Sequence, residues 1–254
     1  MIDWHCHILH ELDDGAPSID EAVAMARLLA DNGYSHVCCT PHRLRGMYDT
    51  SPAAMRQKIC ELQVILKEEG IDLTLLAGME YCLDEFFVED FSSDPVTLGG
   101  TKMVLVETPA NADPQLLREN IFHLVRSDCL PLLAHPERHA FLAPPARKSG
   151  SLFRFFAAGS NHAGTEEESL QETLLGELKL MGCLFQGNLG SVGGYYGSLV
   201  RQQEQRLRQA GLYHCYGSDG HTRASLESFL GDALATIRSE LPEALAAGLD
   251  SSGP

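Results

Sequence analysis

Short apolar runs alternate with amphipathic stretches along most of the chain, the pattern of βα units around a parallel sheet. The runs predict strands at residues 2–6, 36–40, 73–78, 103–107, 131–134, 183–186 and 213–217. Helical periodicity falls between them, at residues 18–31, 52–69, 114–127, 166–181, 198–210 and 225–240, each stopping near a glycine or a polar turn. The first helix opens on Ser18 with Glu21 three positions on, a capping-box pattern, and ends at Asn32-Gly33. Residues 141–165 break the rhythm. Pro144-Pro145, several glycines and the Phe153-Arg154-Phe155-Phe156 cluster interrupt any period there, which predicts an insertion or lid. Residues 248–254 are small and polar and are expected to fray. The expectation is one α/β barrel domain over residues 1–247.

Composition is compatible with that plan and narrows the partners. A chain of 254 residues that is 44% hydrophobic can bury a full core. Its formal charge of −16 disfavours a nucleic-acid backbone or an anionic membrane surface, because like charges repel. The eight cysteines lie mostly in apolar runs such as Val37-Cys38-Cys39-Thr40, and no Cys-x-x-Cys pair occurs. They read as buried reduced thiols rather than as a disulfide scaffold or a thiolate metal site. No basic-then-apolar leader opens the sequence and no apolar run approaches the ~18 residues of a membrane span. A cytoplasmic protein without membrane insertion is expected.

Chemistry gathers at one end of the strands. His5 and His7 follow the first, His42 the second, Glu80 the third, Glu107 the fourth, His135 the fifth, and Asp219 with His221 the seventh, while Asp14 lies in the first loop. In a parallel βα barrel that rim converges on one site, so residues far apart in sequence become neighbours. His5 and His7 sit at i, i+2, one face of a strand, and Asp219-Gly220-His221 repeats the spacing on the strand that closes the barrel beside the first. Nine imidazoles and carboxylates exceed what a single tetrahedral ion uses, which implies two or three. The mixed nitrogen and oxygen donors suit Mn, Fe or Zn better than Ca or Mg. Clustered cations activate water and clamp the oxygens of an in-line displacement, as phosphoester hydrolysis requires. Arg43, Arg138 and Arg223 each stand one or a few residues beyond a rim ligand, placed to hold phosphate oxygens as a bidentate fork, Arg138 foremost. Against each stands the ordinary reading of a rim arginine as a solvated charge.

The runs Met1-Ile2-Asp3-Trp4-His5-Cys6-His7-Ile8-Leu9, Asp13-Asp14-Gly15, Thr40-Pro41-His42-Arg43 and Arg45-Gly46-Met47-Tyr48 resemble the bacterial PHP-domain (polymerase and histidinol phosphatase domain) protein-tyrosine phosphatases of capsule and exopolysaccharide operons. The likeness continues through Ala77-Gly78-Met79-Glu80-Tyr81, Val106-Glu107, Ala134-His135-Pro136-Glu137-Arg138, Gln186-Gly187-Asn188 and Ser218-Asp219-Gly220-His221. It implies a distorted seven-stranded TIM-like (β/α) barrel with its site at the C-terminal rim and a multinuclear centre, manganese first, iron or zinc as alternatives. The ligands carried over are His5, His7, Asp14, His42, Glu80, Glu107, His135, Asp219 and His221, with Arg138 on phosphate. The family's second phosphate arginine falls a little beyond the last Asp-x-His pair, where Arg223 is nearest but at a shorter spacing. The implied substrate is the phosphotyrosine-bearing tail of a polysaccharide-polymerisation tyrosine autokinase.

Other residues are assigned less. His36, His123, His162 and His214 have no partner at ligand spacing and read as surface or core histidines. His10 and His139 stand near the ligands and are placed to shuttle a proton, although a tyrosine phenolate of pKa about 10 can leave without a dedicated acid. Cys39 alone has an arginine six positions on, Arg45, but it stands inside the apolar run Val37-Cys38-Cys39 rather than on a loop that could cradle phosphate, and no Gly-x-Ser-x-Gly elbow occurs, which disfavours the thiol and serine routes. Two alternatives remain: a phosphatase of the same fold acting on histidinol phosphate or another small phosphomonoester, and a silent module that captures phosphopeptides. An amidohydrolase barrel shares the first His-x-His but ends on an isolated Asp, whereas Asp219 here is paired with His221.

Overall fold

A computed structural model describes residues 1–109, 111–142, 170 and 173–240. The expected insertion at 141–165 lies outside the described residues except for Phe141 and Leu142, as does the tail at 248–254.

Among the described residues, ten strands make seven staves. β1 (Ile2–Cys6) pairs in parallel with β2 (His36–Cys39), and β2 with β5 (Thr74–Ala77). The second stave breaks at Thr40-Pro41 and resumes as β3 (His42–Leu44), which carries a short antiparallel return, β4 (Tyr48–Asp49). The third breaks at Gly78-Met79 and resumes as β6 (Glu80–Cys82). Pro41 has no N–H for a ladder. A side chain on Gly78 would meet Leu98 Cδ2 at 2.9 Å and the Cys39 carbonyl at 3.2 Å, so the backbones press together where both staves bend. β3 and β6 pair in parallel, and β6 leads to β7 (Met103–Glu107), β8 (Leu130–Ala134), β9 (Leu184–Asn188) and β10 (Cys215–Gly217), all parallel. The barrel closes where Cys6 bridges Gly220, the Asp219 amide donates to the His5 carbonyl at 2.7 Å, and the His7 amide donates to the Gly220 carbonyl at 2.9 Å. The sequence expectation of seven parallel strands thus holds, and the three extra strands are continuations or returns beyond the two breaks.

Helices α1 (Ile19–Asp31), α2 (Pro52–Glu68), α3 (Phe87–Ser93), α4 (Pro114–Arg126), α5 (Leu174–Leu180), α6 (Leu189–Gly193), α7 (Ser198–Gln209) and α8 (Arg223–Glu240) follow the strands. The Ser18 hydroxyl accepts from the Glu21 amide, as the capping pattern predicts. α3 and α6 are too short to show a period and were not foreseen.

Two apolar layers result. Val37, Cys39, Val104, Val106, Leu133 and Phe185 face outward into the helix layer, while Trp4, Cys38, Met103, Leu105, Leu132 and Cys215 fill the barrel interior. All eight cysteines are free thiols, but Cys60 is exposed and Cys129 half-buried, so the buried reading fits six of them. Among the described residues, no helix is long and apolar enough to cross a membrane.

β1 carries the device that builds the site. Its pairing slips between Asp3 and Cys6, where three steps of β1 oppose two of β2. This bulge lets Trp4 floor the barrel and still aims both His5 and His7 at the interior above it. The freed amides of His5 and Ser218 donate to Asp3 Oδ1 at 3.3 and 2.8 Å, which ties the bulge to β10. On the other side of the seam, a Cβ on Gly217 would stand 2.5 Å from His5 Cβ. Gly217→Ala is therefore expected to overpack the closure and cost about 1–3 kcal/mol, read as a lower urea midpoint with unchanged slope.

Candidate metal centre

All nine residues named from the sequence meet above Trp4, grouped as His7, Asp14, His42 and His221; His5, His7 and Asp219; His5, Glu80 and His135; and His42, Glu80 and Glu107. Within each group the donor atoms lie within 4.8 Å of one another. His5, His7, His42 and Glu80 each belong to two groups, which makes the cluster continuous. Glu80 is its centre. Oε2 lies 3.2 Å from His5 Nε2, 3.2 Å from His7 Nε2 and 3.0 Å from His42 Nδ1, and Oε1 lies 3.1 Å from His135 Nε2. His5, His7 and Glu80 are fully buried, whereas Asp14 is half exposed and forms the outer lip.

The backbone is bent to serve this convergence. His135 (φ 34°) and Asp219 (φ 51°) both occupy the left-handed region that ordinary side chains rarely adopt. Each sits where a strand has just ended and turns its side chain back over the barrel mouth; such strain persists where the surroundings hold it.

The donors are oriented for a cation. His7 Nδ1–H donates to Asp13 Oδ2 at 2.7 Å, His5 Nδ1–H to Gln186 Oε1 at 3.0 Å, and His221 Nδ1–H to the Asp219 carbonyl at 2.8 Å. Each leaves Nε2 as a lone pair facing the cluster, the arrangement by which carboxylates and carbonyls fix metal-binding imidazoles. The Nε2 atoms of His5 and His7 then confront each other at 3.1 Å, about the edge length of a polyhedron with arms near 2.1 Å. Glu80 Oε2, His42 Nδ1 and His135 Nδ1 are buried without a hydrogen-bond partner. Burial opposes charge on His42, Glu80 and Asp219. Glu80 nevertheless draws His42 up to about 9, and the imidazoles hold the Glu80 and Asp219 carboxyls well below their ordinary range. Asp14, bonded to His221, is lowered to about 2. Asp14, Glu80 and Asp219, held ionised around inward-facing lone pairs, fit divalent cations.

Arg138 joins the cluster at its edge: Nη1 donates to Asp219 Oδ2 at 2.6 Å, and the guanidinium is about one-third exposed. His139 lies tilted beside His135 and edge-on to Phe141, and burial pushes its imidazole down to about 4. The other two arginines are turned to other partners. Arg43 reaches Asp90 at 2.9 Å and the Thr50 carbonyl at 3.4 Å, with Arg45 on the same Asp90, and Arg223 pairs with Glu227 along its own helix at 2.7 Å. The phosphate roles expected of Arg43 and Arg223 thus find no support in the geometry, because nearer carboxylates claim both guanidinium groups. His10 meets Lys58 rather than the cluster.

Sequence reasoning passed over the residues that orient the ligands. Asp13 also accepts from the His42 and Gly15 amides. Asn188 donates to Asp219 Oδ2 at 2.8 Å, and Glu137 accepts from the Asn188 amide and the Tyr213 hydroxyl. The Asp13-Asp14 doublet and the Gln186-Gly187-Asn188 run were visible signals, but neither spacing says which carboxylate or amide stands behind an imidazole. Tyr48, at the tip of the β3–β4 return, stacks on His42 at 5.4 Å.

A groove of about 660 Å³ opens beside the cluster. Glu107, His135, Arg138 and His139 form its inner side, and Leu44, Cys82, Pro109 and Phe141 its apolar wall. One end is polar and cationic, the other fits a flat apolar group.

Comparison with known proteins agrees with this geometry. The family model for capsular polysaccharide synthesis, CpsB/CapC, matches residues 1–155. The tyrosine-protein phosphatase YwqE of Bacillus subtilis is 29% identical over 241 residues, 94% of this chain and 85% of its own. The crystal structures described as YwqE from Bacillus subtilis and CpsB from Streptococcus pneumoniae, unique metal-dependent tyrosine phosphatases, superpose with a TM-score of 0.76 at 29% identity, covering 95% of this chain and 87% of that one. A histidinol phosphate phosphatase from Lactococcus lactis shares the fold, with a TM-score of 0.51 at 14% identity over 92% of both chains.

Proposed function

Since the chain belongs to the capsular polysaccharide synthesis CpsB/CapC family, we propose that it is a metal-dependent protein-tyrosine phosphatase whose substrate is the phosphotyrosine tail of a bacterial tyrosine kinase. The observation that carries this reading is the convergence of nine imidazoles and carboxylates beside a groove with one cationic and one apolar end.

His5, His7, Asp14, His42, Glu80, Glu107, His135, Asp219 and His221 would hold the ions, with manganese as the first choice and iron or zinc next. Bound there, divalent ions acidify water and withdraw charge from phosphoryl oxygens. Four carboxylates neutralise two such ions, and a third leaves an excess of positive charge that suits a phosphomonoester dianion. Arg138 adds N–H donors at the rim, where one nitrogen is spent on Asp219 and the planar fork suits phosphate oxygens. The apolar wall of Leu44, Cys82, Pro109 and Phe141 takes the tyrosyl ring and excludes water from it. His139, neutral and packed against His135, borders the leaving oxygen's path; a phenolate of pKa about 10 departs without a strong acid.

The test is turnover of a phosphotyrosine peptide before and after chelation, alongside histidinol phosphate. Chelator should abolish turnover, and manganese, iron or zinc should restore it. Activity indifferent to chelation would end the metal reading. A kcat/KM higher for histidinol phosphate by orders of magnitude would move the substrate to the small-molecule class, and stoichiometric peptide binding without phosphate release would make the protein a capture module.

A further inference from the structure

The loop after β9 returns a tyrosine to the site. α6 stops at Gly194 (φ 82°) and the chain turns again at Gly197 (φ 91°), both in the left-handed region that suits glycine. Between them Tyr196 folds back over α6, where a Cβ on Gly190 would come within 2.9 Å of the Tyr196 ring. Tyr195 points the other way, its ring 5.6 Å from Phe229 and edge-on to Tyr196 at 5.1 Å, which anchors the pair. The Tyr196 ring lies 4.4 Å from the Arg138 guanidinium carbon, and its hydroxyl donates to Asp219 Oδ2 at 3.3 Å. That same oxygen accepts from Arg138 and Asn188.

We propose that Tyr196 is a positioning residue whose ring is the platform for Arg138, holding the guanidinium in one plane beside the metal cluster so that it meets an incoming phosphate as a fork. This rests on the phosphatase reading above and deepens it. A cation lying on an aromatic face is attracted by the ring quadrupole, and a pre-set guanidinium loses less freedom when it binds an oxyanion. Without the ring, the ion pair with Asp219 is the contact among the described residues that restrains the long side chain, and the carboxylate is free to draw the whole fork onto itself. The three donors on Asp219 Oδ2 keep its Oδ1 turned to His5 and His7, at 3.3 and 3.4 Å, so Asn188 and Arg138 still orient that carboxylate when the tyrosine is lost.

The experiment titrates the manganese-loaded protein, residues 1–254, with inorganic phosphate by calorimetry, with metal content measured on the same samples. Tyr196→Leu is expected to weaken phosphate binding about tenfold with its metal retained, and Tyr196→Phe, which keeps the ring, to stay within about threefold of wild type. In an Arg138→Ala background Tyr196→Leu should add nothing, since the platform then has no load. Should the leucine variant not fold, Tyr196→His, a smaller ring, supplies the same comparison with an intermediate loss. Equal losses from Tyr196→Leu with and without Arg138, unchanged phosphate affinity, or loss of metal would each overturn the platform while leaving the phosphatase reading intact. Wild-type protein that carries manganese but binds no phosphate would overturn both.

Discussion

Glu80→Gln is expected to strip the protein of divalent ions and to lower turnover of a phosphotyrosine peptide by at least ~10²–10³-fold. The substitution is nearly isosteric, so packing around the fully buried side chain changes little. What changes is the charge that four imidazoles converge on at 3.0–3.2 Å, from His5, His7, His42 and His135. An amide presents N–H donors where the carboxylate presented a lone pair, and it cannot bridge two donor groups of the cluster as an anion does. Elemental analysis of the purified variant beside wild type checks the first half, and single-substrate kinetics the second. A variant with a full complement of metal would show that Glu80 is not the centre of the site.

Arg138→Ala should behave in the opposite way, keeping its ions and losing ~10²–10³-fold in turnover, the scale of removing one preorganised donor to a developing oxyanion. The ions stay because Asp219 Oδ2 retains Asn188 and Tyr196 as donors when the guanidinium is gone. The rate falls because the remaining rim is acidic, with Glu107 and Asp14 partly exposed, and the other two rim arginines among the described residues are turned away, Arg43 to Asp90 and Arg223 to Glu227. Turnover at the wild-type rate with normal metal content would remove Arg138 from phosphate binding. The two variants together separate holding the ions from holding the phosphate.

Strand positions were legible because burial of both faces leaves a continuous apolar run, as in Met103–Glu107, whose bounds the sequence marks to the residue. The breaks were not. Thr40-Pro41 and Gly78-Met79 read as strand ends, and only the pairing of His42 with Glu80 reveals that each stave continues after a bend. The arginines show the same divide. Arg43 and Arg138 both follow a ligand, Arg138 with the stronger claim, and Asp90, 47 residues from Arg43, is what takes Arg43 away from the site.

From its sequence alone, then, the chain determines that histidines and carboxylates will stand at the ends of parallel strands, since strand and helix periods set which end of each unit carries them. Which of those groups face one another, and which neighbour orients each imidazole, was decided only in the tertiary structure. The bulge at His5, the left-handed turns at His135 and Asp219, and the carboxylate of Asp13 behind His7 act through distances of a few ångströms between segments that sequence spacing does not relate. Coulombic and hydrogen-bond energies depend on those distances, and so the chemistry of the site emerges only once the barrel has closed.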